Sequence, residues 1–215
     1  MDCWAETYVF IYYYSRYQSQ SKDYALFRKA RKFERAHNFE DAANAFIEAA
    51  EYAATQKMPY FKAVARYQQA AKCFLRLKDS RAIICFQKSI DAFLKDYRYK
   101  QAIERLFVYG YLCQREFPDG VNGKEFYKKA EELSLKYKKT HSCVITKFDE
   151  SEYDGNYEKA LDDHQKFFVI IREHKVVKYT QKSFCRNCVE AFHKLSDHIF
   201  DPTRMKIYKQ QRDKQ

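Results

Sequence analysis

Apolar residues return every three or four positions along most of this chain, the spacing that lines one face of an α-helix. Phe39, Ala42, Ala43, Phe46 and Ala50 follow it, and so do Ala82, Phe86, Ile90 and Phe93. Four segments share one design, a polar or Gly-containing turn and then a helix opening on small residues. They are NFEDAANAFIEAA (38–50), DSRAIICFQKSIDAF (79–93), VNGKEFYKKAEEL (121–133) and NYEKALDDHQKFF (156–168). Their starts, at residues 38, 79, 121 and 156, lie 41, 42 and 35 residues apart. A helix-pair repeat runs about 34 residues in its best-known form and 40 or more in longer ones. Partner helices are predicted between these segments at about 24–36, 60–77, 98–115, 141–153 and 176–196, with Tyr67, Ala70, Ala71, Phe74 and Leu77 on the inward face of the second. Asn38, Asp79 and Asn156 stand where a short side-chain oxygen accepts a bond from a free helical N–H.

The fold class is therefore all-α: stacked antiparallel helix pairs of the tetratricopeptide type. No pair can bury its apolar face alone, so neighbours are expected to stack into a right-handed solenoid. The array is expected over 23–200, after a Tyr- and Ser-rich aromatic segment at 1–22 and before a basic tail at 201–215. Four Gly and three Pro in the whole chain leave little material for a β-rich fold. Pro59 and Pro118 fall in predicted loops and Pro202 after the last helix. Gly110 falls inside a helix, where it costs about 1 kcal/mol relative to Ala, and is read as a close helix crossing.

The net charge is +11, from 40 Lys and Arg against 29 Asp and Glu. Such an excess favours acidic partners, although solvated lysine-rich helix faces give the same sum. The seven cysteines (Cys3, Cys73, Cys85, Cys113, Cys143, Cys185, Cys188) mostly occupy apolar positions. Their odd number and lack of framework spacing fit a reduced, cytoplasmic chain. Asp2 and Glu6 replace the basic start of a secretory signal, and no apolar run is long enough to span a bilayer. Cys185 and Cys188 form a C-x-x-C followed by His193 and His198, but residues 178–192 have helical periodicity and no second ligand pair follows at finger spacing. No metal is assigned, and the thiols are read as core or surface groups. The acidic group from Asp149 to Asp163 is read as a solvated helix face. Neither a glycine-rich phosphate loop nor a nucleophile elbow is present, so no catalytic residue, cofactor or enzymatic activity is expected. Lys29, Arg31, Lys32 and Arg35 cluster in one helix and Arg98, Lys100 and Arg105 in another. No nucleic-acid-binding motif accompanies them, and nucleic acid is not an expected partner.

The stretch from about Tyr24 to Leu195, roughly four fifths of the chain, resembles the soluble NSF-attachment proteins, the adaptors of SNARE complex disassembly. The resemblance is carried by AHNFEDAANAFIEAAEYA (36–53), YQQAAKCFLRLKDSRAIICFQKSIDAF (67–93), YRYKQAIERL (97–106), NYEKALDDHQKFF (156–168) and KYTQKSFCRNCVEAF (178–192), in that order and at fitting distances. It implies a twisted sheet of helix hairpins with a basic concave face that lies along the acidic SNARE four-helix bundle. It also implies a hydrophobic membrane-contacting element near the N-terminus and a C-terminal bundle, ending in acidic residues and a leucine, that engages the NSF ATPase. Arg98 and Lys182 stand where the family carries SNARE-contacting basic residues; Glu104 and Ser142 replace two others, with Arg105, Lys139 and Lys147 close by. Arg98, Arg105, Lys139, Lys147 and Lys182, together with Arg66, Lys100 and Lys178, form the expected partner-binding face. Trp4, Phe10 and Tyr12 are the expected peripheral membrane contacts, or else pack as an extra helix. The chain stops where the family's C-terminal bundle would begin, and its tail from Lys206 to Gln215 is basic. A shortened adaptor of this kind, engaging NSF weakly or not at all, is expected to act as a competitor or regulator, or as a microbial mimic in a host cytosol. The alternatives are a generic helical-repeat scaffold for another acidic protein and a basic RNA- or lipid-associated protein.

Overall fold

The computed structural model describes residues 20–118, 122–139, 145–173, 176–181 and 185–205. Helix α1 covers 20–35 and is followed by α2 (Phe39–Thr55), α3 (Tyr60–Arg76), α4 (Arg81–Lys95), α5 (Tyr99–Glu116) and α6 (Asn122–Lys136). A 3-10 turn (Glu150–Glu152), α7 (Tyr157–Lys166), strands β1 (Phe168–Glu173) and β2 (Val176–Gln181), α8 (Arg186–Phe200) and a helical turn at 202–205 complete it. The class is all-α, built of helix pairs joined by short turns, with one antiparallel hairpin set into it. The chain divides into two compact units, Met1–Ala102 with Arg115–Gly120, and Ile103–Gln114 with Val121–Gln215.

In the first unit α2 packs on α3 and α3 on α4. The seam is made of small residues: Ala50, Ala53 and Ala63 cluster with Tyr67, and Ile47 and Met58 lean against them. Phe46, Phe74 and Ile90 fill the wider gaps and are fully buried, each worth about 1.5–3 kcal/mol of transfer energy. Leu77, expected on the inward face, is 43% exposed, because α3 ends at Arg76 and Leu77 is its C-cap. Asn38 Oδ1 accepts from Asp41 N at 3.4 Å and Asn156 Oδ1 from Lys159 N at 3.1 Å, so both act as the expected caps. Asp79 works from one residue further out: Ser80 is the cap position, while Asp79 Oδ1 accepts from Arg81 N at 2.8 Å.

The turns reuse one device. His37, Lys57, Lys78, Tyr97 and Lys138 have φ between 48° and 59°, the left-handed region usually left to glycine. At each, the next residue's N–H reaches back five positions: Asn38 to Phe33 O, Met58 to Ala53 O, Asp79 to Phe74 O, Arg98 to Phe93 O and Lys139 to Ser134 O, at 2.9–3.0 Å. A shorter bond closes inside each, such as Lys57 N to Ala54 O at 3.2 Å. This is the Schellman closure of a helix C-terminus, made here without glycine.

In the second unit Tyr109 meets Phe126 edge-on at 6.2 Å, and Phe167 meets Phe192 at 5.1 Å. The expected close crossing at Gly110 is present. A Cβ there would come within 2.7 Å of the Tyr127 ring and 3.1 Å of Gly123 O, and a Cβ on Gly123 would come within 2.9 Å of Gly110 O. Two sequence expectations are corrected in this unit. No helix fills the described part of 141–153; residues 145–149 are irregular and a 3-10 turn follows. Asp149 takes the Ser151 N–H and hydroxyl onto its own carboxylate, a local bond that competes with helix. The helix expected over 176–196 begins only at Arg186, and its first third is strand β2. β-branched runs on both sides, Val169, Ile170 and Ile171 against Val176, Val177 and Thr180, suit an extended pair. Cys185 and Cys188 consequently do not share a helical face: Cys185 is the extended N-cap of α8 and Cys188 is buried in its first turn.

Candidate functional site

Arg66 lies inside the fold, only 8% exposed. Its Nη2 is 2.6 Å from Asp23 Oδ1, its Nη1 donates to Lys62 O at 2.9 Å, and its guanidinium sits 5.3 Å from the Phe27 ring centre. Lys62 Nζ completes the group, donating to the other Asp23 oxygen at 2.8 Å. Burial lowers the Arg66 pKa, against the opposing pull of Asp23. This ion group ties α1 to α3 and leaves Arg66 buried, which corrects its expected place on an open binding face. The signal was available: Arg66 shares its helical face with Ala63, Tyr67 and Ala70, all buried.

Arg98 and Lys100 stand exposed at the start of α5. Arg98 Nε donates to Asp96 Oδ2 at 2.9 Å, and the guanidinium lies 5.2 Å over the Tyr60 ring. The bond to Asp96 raises the Arg98 pKa further. Tyr60 in turn touches Phe61 and Phe93, and Tyr97, next to Arg98, is 78% exposed. This edge of the first unit is cationic and aromatic. Asp96 holds Arg98 by a solvent-screened pair that a partner carboxylate can replace.

Of the other expected residues, the described ones, Arg105, Lys139, Lys147 and Lys178, belong to the second unit and stand apart along the chain. Arg105 is half-buried on α5, beside the half-buried Glu104. Lys139 and Lys147 are exposed. Lys178 lies in β2, paired in register with Ile171. Lys182, Ser142, Trp4, Phe10 and Tyr12 lie outside the described residues.

Four of the five described cysteines, Cys73, Cys85, Cys113 and Cys188, are buried, and none of the five is in a disulfide. Burial pushes the thiols of Cys73 and Cys85 up to about 11 and that of Cys113 to about 12, the behaviour of small core residues and not of nucleophiles.

One constellation escaped sequence reasoning. Donor atoms of Glu150, Asp154 and His198 lie within 4.8 Å of one another. Arg204 spans them: Nη1 is 3.0 Å from Asp154 Oδ1 and 2.7 Å from His198 Nδ1, and Nη2 meets Glu150. His198 is buried, with the Phe148 and Tyr153 rings at 5.7 and 6.1 Å. A guanidinium already holds the place of a cation here, so the cluster is a partly exposed ion network that links the turn at 202–205 to residues 150–154 and α8. No spacing motif links residues 150, 154, 198 and 204; only folding joins them.

The family model for soluble NSF attachment proteins, SNAP, matches residues 11–194. The chain belongs to this family. SNAPs are helical-repeat adaptors, and a SNAP-like role follows in general terms from that membership. The short-looped helix pairs of the first unit are consistent with a helical-repeat family, and Arg98 is exposed at one of its turns. Comparison with individual curated proteins finds no match. Among the described residues, no helix is long and apolar enough to cross a membrane.

Proposed function

We propose that this chain is a non-enzymatic adaptor that binds the acidic helical bundle of a SNARE complex in vesicle fusion and membrane traffic, as a cytoplasmic protein with peripheral membrane contact. The family match over residues 11–194 carries the reading, and the exposed Arg98 and Lys100 support it. Contacts of this type are distributed and solvent-screened, so affinity should fall steeply with salt. The test is a pull-down of an assembled SNARE bundle by the purified chain across a salt series, beside the double charge reversal Arg98→Glu with Lys182→Glu. The expected result is salt-sensitive capture that the double variant loses. Absence of capture at low salt would overturn the SNARE reading and leave a helical-repeat scaffold for another acidic protein. An NSF-dependent disassembly assay on the captured complex then separates an activator from a competitor.

A further inference from the structure

We infer that helix α1 carries a second binding site, for clustered phosphates of the kind presented by a polyphosphorylated inositol ring. Five cations fall within eight residues, from Arg28 to Arg35. Lys29 is paired with Glu48 at 3.2 Å and Arg31 with Glu34 at 2.5 Å. Arg28, Lys32 and Arg35 are exposed and have no acidic partner among the described residues. Spaced i, i+4, i+7, they share one face and span about 10 Å of helix axis. All three line a cavity of about 1150 Å³ together with Arg31, Gln69 from α3 and Tyr24. Tyr24 is 61% exposed, and the Arg28 guanidinium lies 5.8 Å from its ring.

Like charges three and four residues apart repel along a helix, and this segment sets Arg28 against Arg31 and Lys32, and Arg35 against Arg31 and Lys32. A multivalent anion held among them removes that repulsion. An acidic helical rod offers its carboxylates singly, turn by turn, and is met by cations spread over several helices. Here the cations converge within two turns on one cavity. That density matches several phosphates on one small ring, each carrying about 1.5 to 2 negative charges. Arginine forks take phosphate oxygens bidentately, the Gln69 amide supplies a neutral donor, and the exposed Tyr24 ring gives the sugar-like face a surface to lie on.

The test titrates the full chain with soluble inositol hexakisphosphate by calorimetry. In parallel, the chain is floated with phosphatidylcholine vesicles carrying phosphatidylinositol bisphosphate, or phosphatidylserine at matched total charge. The variant Arg28→Gln/Lys32→Gln/Arg35→Gln is compared with Lys57→Gln/Lys95→Gln/Lys138→Gln, which removes three exposed cations elsewhere; circular dichroism checks that both are folded. The inositol polyphosphate is expected to bind the native chain and the control, and to bind the α1 variant about a hundredfold or more weaker, since each lost charge-assisted contact is worth about a factor of ten. Capture by bisphosphate vesicles that the soluble ligand competes away identifies a membrane headgroup as the source; binding of the soluble ligand alone identifies a free polyphosphate. Equal loss in the control variant, equal capture by phosphatidylserine vesicles, or loss of an acidic helical partner from the α1 variant with no polyphosphate binding would each overturn the inference.

Discussion

Replacing Gly110 with Ala tests the reading of the α5–α6 crossing. The new Cβ would lie 2.7 Å from Tyr127 Cε1 and 2.8 Å from Cδ1, whereas carbon atoms rest at about 3.5 Å or more. The ring would have to retreat by nearly 1 Å. It has little room: Tyr127 is buried, with Phe107 at 6.3 Å and the Arg186 guanidinium at 4.7 Å. Overpacking of this kind costs about 1–3 kcal/mol, and the better helix propensity of Ala returns about 1. The net expectation is a loss of about 1 kcal/mol, a Tm decrease of about 2–4 °C for a chain of this size, read by circular dichroism at 222 nm. The decisive comparison places Gly110→Ala in a Tyr127→Leu background, where the ring is gone and only the 3.1 Å approach to Gly123 O remains, so the same Ala should be about neutral or stabilise by less than about 1 kcal/mol. A loss in the native background that the other does not show is the mark of a steric contact. If Gly110→Ala raises the Tm in the native background, or shifts both backgrounds alike, the crossing is not as described.

Asp23→Ala should cost about 3 kcal/mol or more, since it strands a buried guanidinium. Adding Arg66→Met should recover most of it, and a melt in which the double variant is no better than the single would sink the account. The pKa of His164 is lowered by burial; the folded chain resists a proton that the unfolded chain takes up near its ordinary 6.5. The stability this group contributes is present above that pH and lost as pH falls. His164→Gln should therefore flatten the drop in Tm between pH 7.5 and 5.5, and an unchanged slope would assign the drop to other groups.

The helices of the first unit were legible because their apolar residues repeat without interruption. The expected 60–77 and the observed Tyr60–Arg76 differ by one residue, since Pro59 fixes the start. The second unit was less legible for two physical reasons. Residues 168–181 carry β-branched runs that a helical template absorbs until the strands pair. Around 145–153 the carboxylate of Asp149 captures the local N–H that a helix would need. The candidate site divides the same way. Exposed charges at a helix start, Arg98 and Lys100, are visible as polar interruptions, whereas the Arg204 network depends on contacts across as many as 54 residues. The left-handed turns were hidden because the usual marker, glycine, is replaced by His37, three lysines and Tyr97.

Those turns also bear on how the chain reaches its fold. From residue 20 to residue 98 each helix is joined to the next by only three or four residues, so its closest packing partners are its neighbours in sequence. Loop-closure entropy is then paid in small instalments, and contact order over this stretch is low, the condition for rapid folding. Any hairpin can form first and template those beside it. The α7–α8 contact comes by another route: the β1–β2 hairpin between them pairs Phe168 with Gln181 and so brings the two helices within reach across a longer span of chain.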